Sequence, residues 1–183
     1  MIAVVDGAVA VGSEGRWTFD AEGRSWMATV RAEVVVDLPP EQVWEAVADV
    51  GAVHRRLLPG RVRDARIEGD ARILTMPDGW QVREVIVAVD HDLRRLAYAV
   101  AGAQRMPLTY HHASFQVFDE EGRGRLVWVT DVLPHAMAAV VRGVVERGLA
   151  EIKQTLESGT RQPLGGPSEG PGSGAGQSSG IDA

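Results

Sequence analysis

Polar and apolar residues alternate along much of this chain, and the alternation stops at clusters of Pro, Gly and Asp. Ala28–Val36 (ATVRAEVVV) has the period of two and the β-branched content of a strand. Asp37-Leu-Pro-Pro-Glu41 ends it. Proline fits a first helical turn, where its missing N–H has no intrahelical partner to lose, and Asp37 and Glu41 suit the positive end of a helix. A helix is therefore predicted over Pro40–Asp49, with Val43, Trp44, Val47 and Ala48 inward. A second, short one over Gly51–Leu57 is stopped by Pro59-Gly60.

Six further strands are predicted: Arg61–Glu68, Ala71–Met76, Trp80–Val89, Arg94–Val100, Pro107–Phe118 and Arg125–Leu133. The joins are short and rich in turn chemistry (Gly69-Asp70, Pro77-Asp78-Gly79, Asp119-Glu-Glu-Gly122). Short joins favour an antiparallel meander. From His135 to Glu157 the chain has no proline, and Met137, Val141, Val144, Val145, Gly148, Ile152 and Leu156 recur at helical spacing. Gly143 and Gly148 each cost that helix about 1 kcal/mol relative to alanine. They imply either close packing on the sheet or room for a ligand.

The order strand, two helices, six strands, long helix predicts an α+β domain, a curved seven-stranded antiparallel sheet around a long C-terminal helix. A strongly curved sheet does not collapse fully onto one helix. A mostly apolar cavity between them is expected.

At 183 residues there is room for one domain with a proper core. That domain is expected over residues 27–157, after a weakly ordered extension (1–26). The Gly/Ser/Pro tail (158–183) is too poor in apolar residues to order itself. The net charge of −6 is spread out, and no basic stripe is interleaved with aromatics, which disfavours nucleic acid. There are no cysteines, so disulfides, thiolate metal sites and Cys nucleophiles are excluded. No apolar run approaches the ~18 residues of a membrane helix, and the N-terminal apolar stretch lacks a basic region before it. The expectation is a cytoplasmic protein with no integral membrane segment. The excess of arginine over a single lysine, Lys153, resembles a GC-rich, bacterial coding bias.

The chain resembles the polyketide cyclase/dehydrase and lipid-transport group of the START-like superfamily, whose fold is the helix-grip. The stretches that carry the resemblance are Val36-Asp-Leu-Pro-Pro-Glu-Gln-Val-Trp44 with Val47 and Asp49, Leu58-Pro-Gly60, and Gly69-Asp-Ala-Arg72. Asp78-Gly79, Glu84, Asp90, Arg95, Tyr98, Pro107 and Tyr110 continue it, so that it spans Ala28–Glu157. The superfamily includes enzymes, carriers, hormone receptors and co-chaperones, so the resemblance speaks to fold more than to activity. Alignment with its plant hormone receptors implies that Glu84, Tyr98, Tyr110 and His112 line a pocket. The gate-loop sequence of those receptors is not evident here.

Among residues that can carry chemistry, Glu84 shares a strand face with Val82, Ile86 and Ala88. In an apolar pocket it would serve as a general base or a hydrogen-bonding anchor; its structural reading is a buried pair with an arginine such as Arg72. The alternate residues, Gln81 to Val89, are also mostly apolar, which leaves the face open. Alternation sends Tyr110 and His112 to one side and His111 to the other. Tyr110, His112 and Glu84 are the candidate acid/base set, although Phe115 and Val117 share the phase of His111. Trp80, Tyr98 and Asp131, with Met137, Val141, Val144 and Val145 of the last helix, are the candidate ligand wall. No metal or cofactor is expected. The expected function is binding of an apolar small molecule, lipid or polyketide-like, as carrier or sensor. The alternatives are a cyclase/dehydratase and a co-chaperone-like interaction module.

Overall fold

A computed structural model describes residues 27–102 and 105–159. The expected N-terminal extension and the tail beyond residue 159 lie outside them. The elements are β1 (Ala28–Val36), α1 (Pro40–Ala48), α2 (Val53–Arg56), β2 (Asp64–Glu68), β3 (Ala71–Thr75), β4 (Gln81–Asp90), β5 (Arg95–Ala101), β6 (Tyr110–Glu120) and β7 (Arg123–Leu133). A 3-10 turn, His135–Met137, leads into α3 (Ala138–Gly159).

The strands form one antiparallel sheet in the order β1-β7-β6-β5-β4-β3-β2. After β1 the order follows chain order in reverse, as short joins require. β1 returns to close one side against β7. This is the helix-grip arrangement, with α3 packed mainly on β1 and β7.

One sheet face carries the core. Val30 and Val36 of β1, Leu96 and Tyr98 of β5, Ala113, Phe115 and Val117 of β6, and Leu126 and Val132 of β7 are all buried there. From α3, Val141, Val145, Leu149 and Ile152 meet them. Each such side chain taken out of water is worth about 1.5–3 kcal/mol. The helix approaches so closely that a Cβ on Gly148 would lie 2.7 Å from Cζ3 of Trp128. Close packing therefore accounts for that glycine. α1 makes a similar approach at the other end, where a Cβ on Gly124 of β7 would lie 2.6 Å from Cγ2 of Val43.

The phase of β4, open in the sequence, is settled by a β-bulge. Ile86 pairs with Tyr98 but Ala88 pairs with Ala97, so Val87 is the extra residue. Val82 and Ile86 pack on the core before the bulge and Val89 packs on it after, while Val87 is exposed. Both apolar phases thus reach the core, each over half of the strand.

α3 also covers the free edge of β1. Lys153 Nζ donates to the Val35 carbonyl at 2.6 Å and to Glu157 Oε1 at 2.5 Å, and Glu157 Oε1 accepts the Asp37 N–H at 2.8 Å. Unpaired strand carbonyls invite a foreign strand; the chain's lone lysine occupies one of them.

Candidate functional site

Arg72 and Glu84 are cross-strand partners on β3 and β4. Both point to the inner face, and both are buried. Arg72 Nε donates to Glu84 Oε2 at 2.6 Å, and its guanidinium lies over the Tyr98 ring, 5.0 Å from the centroid. Tyr98 then faces Phe115 (6.2 Å between centroids), which packs on Trp128 at 4.5 Å. A row of arginine and three aromatics thereby crosses the sheet beneath the helix. Burial, and secondarily the Glu84 carboxylate, drive the Tyr98 phenol far above its ordinary pKa, against the opposing effects of Arg72 and the Trp128 N–H. The Trp128 N–H is buried and near Tyr98 without meeting hydrogen-bond geometry.

Glu84 also forms part of the wall of a cavity of about 240 Å3. Val82, Val100, Met76 and Met106 give it an apolar lining, and Trp80, Arg105 and His111 complete it. It opens at the end of the sheet where the β3–β4 turn meets the segment between β5 and β6. There Arg105 pairs with Asp78 and lies 5.3 Å over the Trp80 ring. The Asp78 carboxyl is held below its ordinary pKa, first by the Trp80 backbone N–H and then by Arg105.

His111 is the inward histidine. It shares its face with the buried Ala113, Phe115 and Val117, and its Nε2 lies 3.3 Å from Thr130 Oγ1. Glu84 pairs with Val100, and Ala99 pairs with His112, so His111 stands one strand beyond Val100 in the same row. Two strand spacings, roughly 9.6 Å, separate the backbones of Glu84 and His111. Val100 stands between them, and both line the same cavity. Burial, then the neighbouring His112, lower the His111 pKa from 6.5 to about 4. Between those values the unfolded chain binds a proton that the folded chain does not. This histidine therefore leaves stability untouched above about pH 6.5 and subtracts from it as pH falls toward 4. Histidine NMR across that range should show one imidazole titrating near pH 4. A resonance removed by His111→Phe that titrates at an ordinary value would contradict this placement.

Of the residues expected to form the site, the structure brings Glu84 and Trp80 to the cavity. Tyr98 lies deeper, in the core. Tyr110, 42% exposed, and His112 point to the outer face of β6, so the expected grouping with Glu84 is not what the fold assembles. Asp131 also faces outward, opposite Thr29, whose hydroxyl donates to it at 2.6 Å. Val141 and Val145 fill the core, and Met137 and Val144 are half-buried; none of the four lines this cavity. α3 packs tightly on β7 at Gly148, and this cavity lies on the same inner face of the sheet, under β4 and β5. The signal for His111 was present in the apolar phase of β6; Met76, Val82, Val100, Arg105 and Met106 carried none.

A larger cleft of about 730 Å3 runs between Pro59–Arg61 and α3. The Arg61–Glu151 pair, at 2.5 and 2.6 Å, lies across it, with Gln154, Thr155 and Ser158 also in its wall. Among the described residues no cluster of three metal-ligating side chains occurs, and no helix is long and apolar enough to cross a membrane.

The fold defines a helix-grip domain, and solved structures share it. An uncharacterized protein from Bacillus thuringiensis superposes with a TM-score of 0.63 at 20% identity, covering 70% of this chain and 98% of that one. Norcoclaurine synthase from Thalictrum flavum gives 0.60 at 16% identity, covering 75% and 96%. Ara h 8.0201 gives 0.58 at 16%, covering 73% and 99%. Residues 27–157 match the family described as polyketide cyclase / dehydrase and lipid transport, and the chain belongs to that family. No curated protein matches it.

Proposed function

We propose that this protein binds an apolar small molecule in the cavity walled by β4, β5 and the start of β6, as a carrier or sensor. The observation that carries this reading is a mostly apolar cavity of about 240 Å3 with a few polar side chains, Glu84, His111 and Arg105, set into its wall. Ligand sites have this make-up, a largely apolar surface with a few polar groups that fix orientation. The family's description, which includes lipid transport, supports it. Among the described residues, the Asp78–Arg105 pair and the Trp80 ring stand together at one side of the cavity.

Native mass spectrometry of protein purified from its own host tests the reading. The expected result is a co-purifying small molecule that is lost from Val100→Phe, a variant that fills the space between Glu84 and His111. A wild-type protein that stays empty, and that binds no apolar probe by tryptophan fluorescence, would sink it.

A second reading, cyclase or dehydratase chemistry, is favoured by one observation: a carboxylate and an imidazole face the same space. A neutral imidazole is a competent general base, so His111 rather than His112 would take that role. Turnover of a β-keto substrate that disappears in His111→Phe while binding persists would support it.

A further inference from the structure

The cavity's size and charge narrow what it can hold, and this inference rests on the reading just proposed. Its 240 Å3 falls below the roughly 300–1,000 Å3 of sites for drug-sized ligands. A space of this size suits a compact molecule of one or two fused rings. An extended acyl chain or a folded multi-ring polyketide would reach beyond this space into solvent.

The charges in the wall are already matched. Glu84 is paired with Arg72, and Arg105 with Asp78. A ligand bringing its own charge would leave water for a space with no counter-ion to receive it, a costly transfer. The wall is not without polar capacity, however. A carboxylate accepts about four hydrogen bonds, and Arg72 Nε occupies only part of one side, at Oε2. The buried Arg72 anchors the carboxylate without itself lining the cavity, whereas Glu84 does. A hydroxyl on the ligand is the donor that this acceptor suits. The Trp80 ring, held by Arg105 at the mouth, offers a flat face.

We propose that the cavity takes a compact, uncharged one- or two-ring molecule bearing a hydroxyl, which donates to Glu84 while the ring packs against Trp80. His111, held neutral by burial, keeps its end of the wall uncharged at neutral pH as well.

The test uses four probes of defined chemistry, titrated calorimetrically into the full chain at neutral pH: 2-naphthol, naphthalene, 2-naphthoate and palmitate. 2-Naphthol should bind at least about tenfold more tightly than naphthalene, the factor expected of one hydrogen bond to a charged acceptor. It should exceed 2-naphthoate and palmitate by a similar margin. Equal binding of naphthalene removes the hydroxyl from the proposal, and tighter binding of 2-naphthoate or palmitate overturns it on charge or size. Either outcome leaves the general binding reading intact, whereas failure of all four to bind, with no co-purifying molecule, ends both. Glu84→Gln should cut 2-naphthol affinity while leaving naphthalene unchanged. Because that variant leaves Arg72 without its counter-charge, Trp80→Leu serves as the second variant. It should weaken both aromatic probes several-fold, and unaltered binding there would overturn the proposal.

Discussion

Replacing Arg72 with methionine is expected to lower stability by about 3–5 kcal/mol, the largest effect of any single change considered for this protein. The reason is the asymmetry of a buried ion pair. Arg72 and Glu84 have side-chain exposures of 3% and 10% and are bonded at 2.6 Å. Forming such a pair gains little, because both ions leave water. Removing one ion leaves the other buried with no compensation, and the full desolvation cost falls on the fold. The guanidinium also stacks on Tyr98, so the substitution removes packing as well as charge. For a domain of this size the loss corresponds to a fall in Tm of roughly 10 °C or more. The double variant Arg72→Met/Glu84→Leu, which removes both ions, should recover most of that loss. Chemical denaturation of the two variants checks this. A double variant no better than the single one would show that the arginine acts through shape, not charge.

Gly124→Ala should cost about 1–3 kcal/mol, the usual range for overpacking a tight site. Alanine is normally better tolerated than glycine in a strand, so a loss here has to come from contact. The added Cβ would lie 2.6 Å from Cγ2 and 3.0 Å from Cβ of Val43, and 3.4 Å from the Cα of Pro40. Val43 is fully buried, and the proline belongs to the backbone of α1. Relief there requires α1 to shift, and the segment leading into α1 is itself tied to β7 by the Gly124 N–H donating to the Leu38 carbonyl at 2.7 Å. Gly143→Ala is the control. Its Cβ meets only the end of the flexible Arg147 side chain, at 3.2 Å, and helix propensity should make it stabilising by up to about 1 kcal/mol. Thermal melts of the two variants should move in opposite directions. Equal shifts would mean that glycine entropy, and not the α1–β7 contact, decides position 124.

Much of the architecture was legible in the residues themselves. Proline pairs, Asp-Gly turns and β-branched runs act over a few neighbours, so the first strand, the proline-capped helix, the meander and the long terminal helix could all be read locally. The pairing of Glu84 with Arg72 was legible as a possibility, because a buried carboxylate on an apolar strand needs a cation. The pairing of β1 with β7, between the two ends of the domain, was not read from the sequence, because local pattern does not contain it.

The site was less legible, because it depends on which way strands face. In β4 both phases are apolar, and only the bulge at Val87 assigns the first half of one and the second half of the other to the core. In β6 the chemically conspicuous residues, Tyr110 and His112, are on the outer face, and the quieter phase of His111, Ala113, Phe115 and Val117 is on the inner one. By itself, then, the sequence determined a seven-stranded sheet gripped by a helix and the residues available for chemistry. Tertiary structure alone decided that α3 packs shut on Trp128 at Gly148. It also set the cavity beneath β4 and β5, with Glu84 and His111 in its wall. Sheet curvature and helix approach are set by long-range packing, which no local pattern encodes.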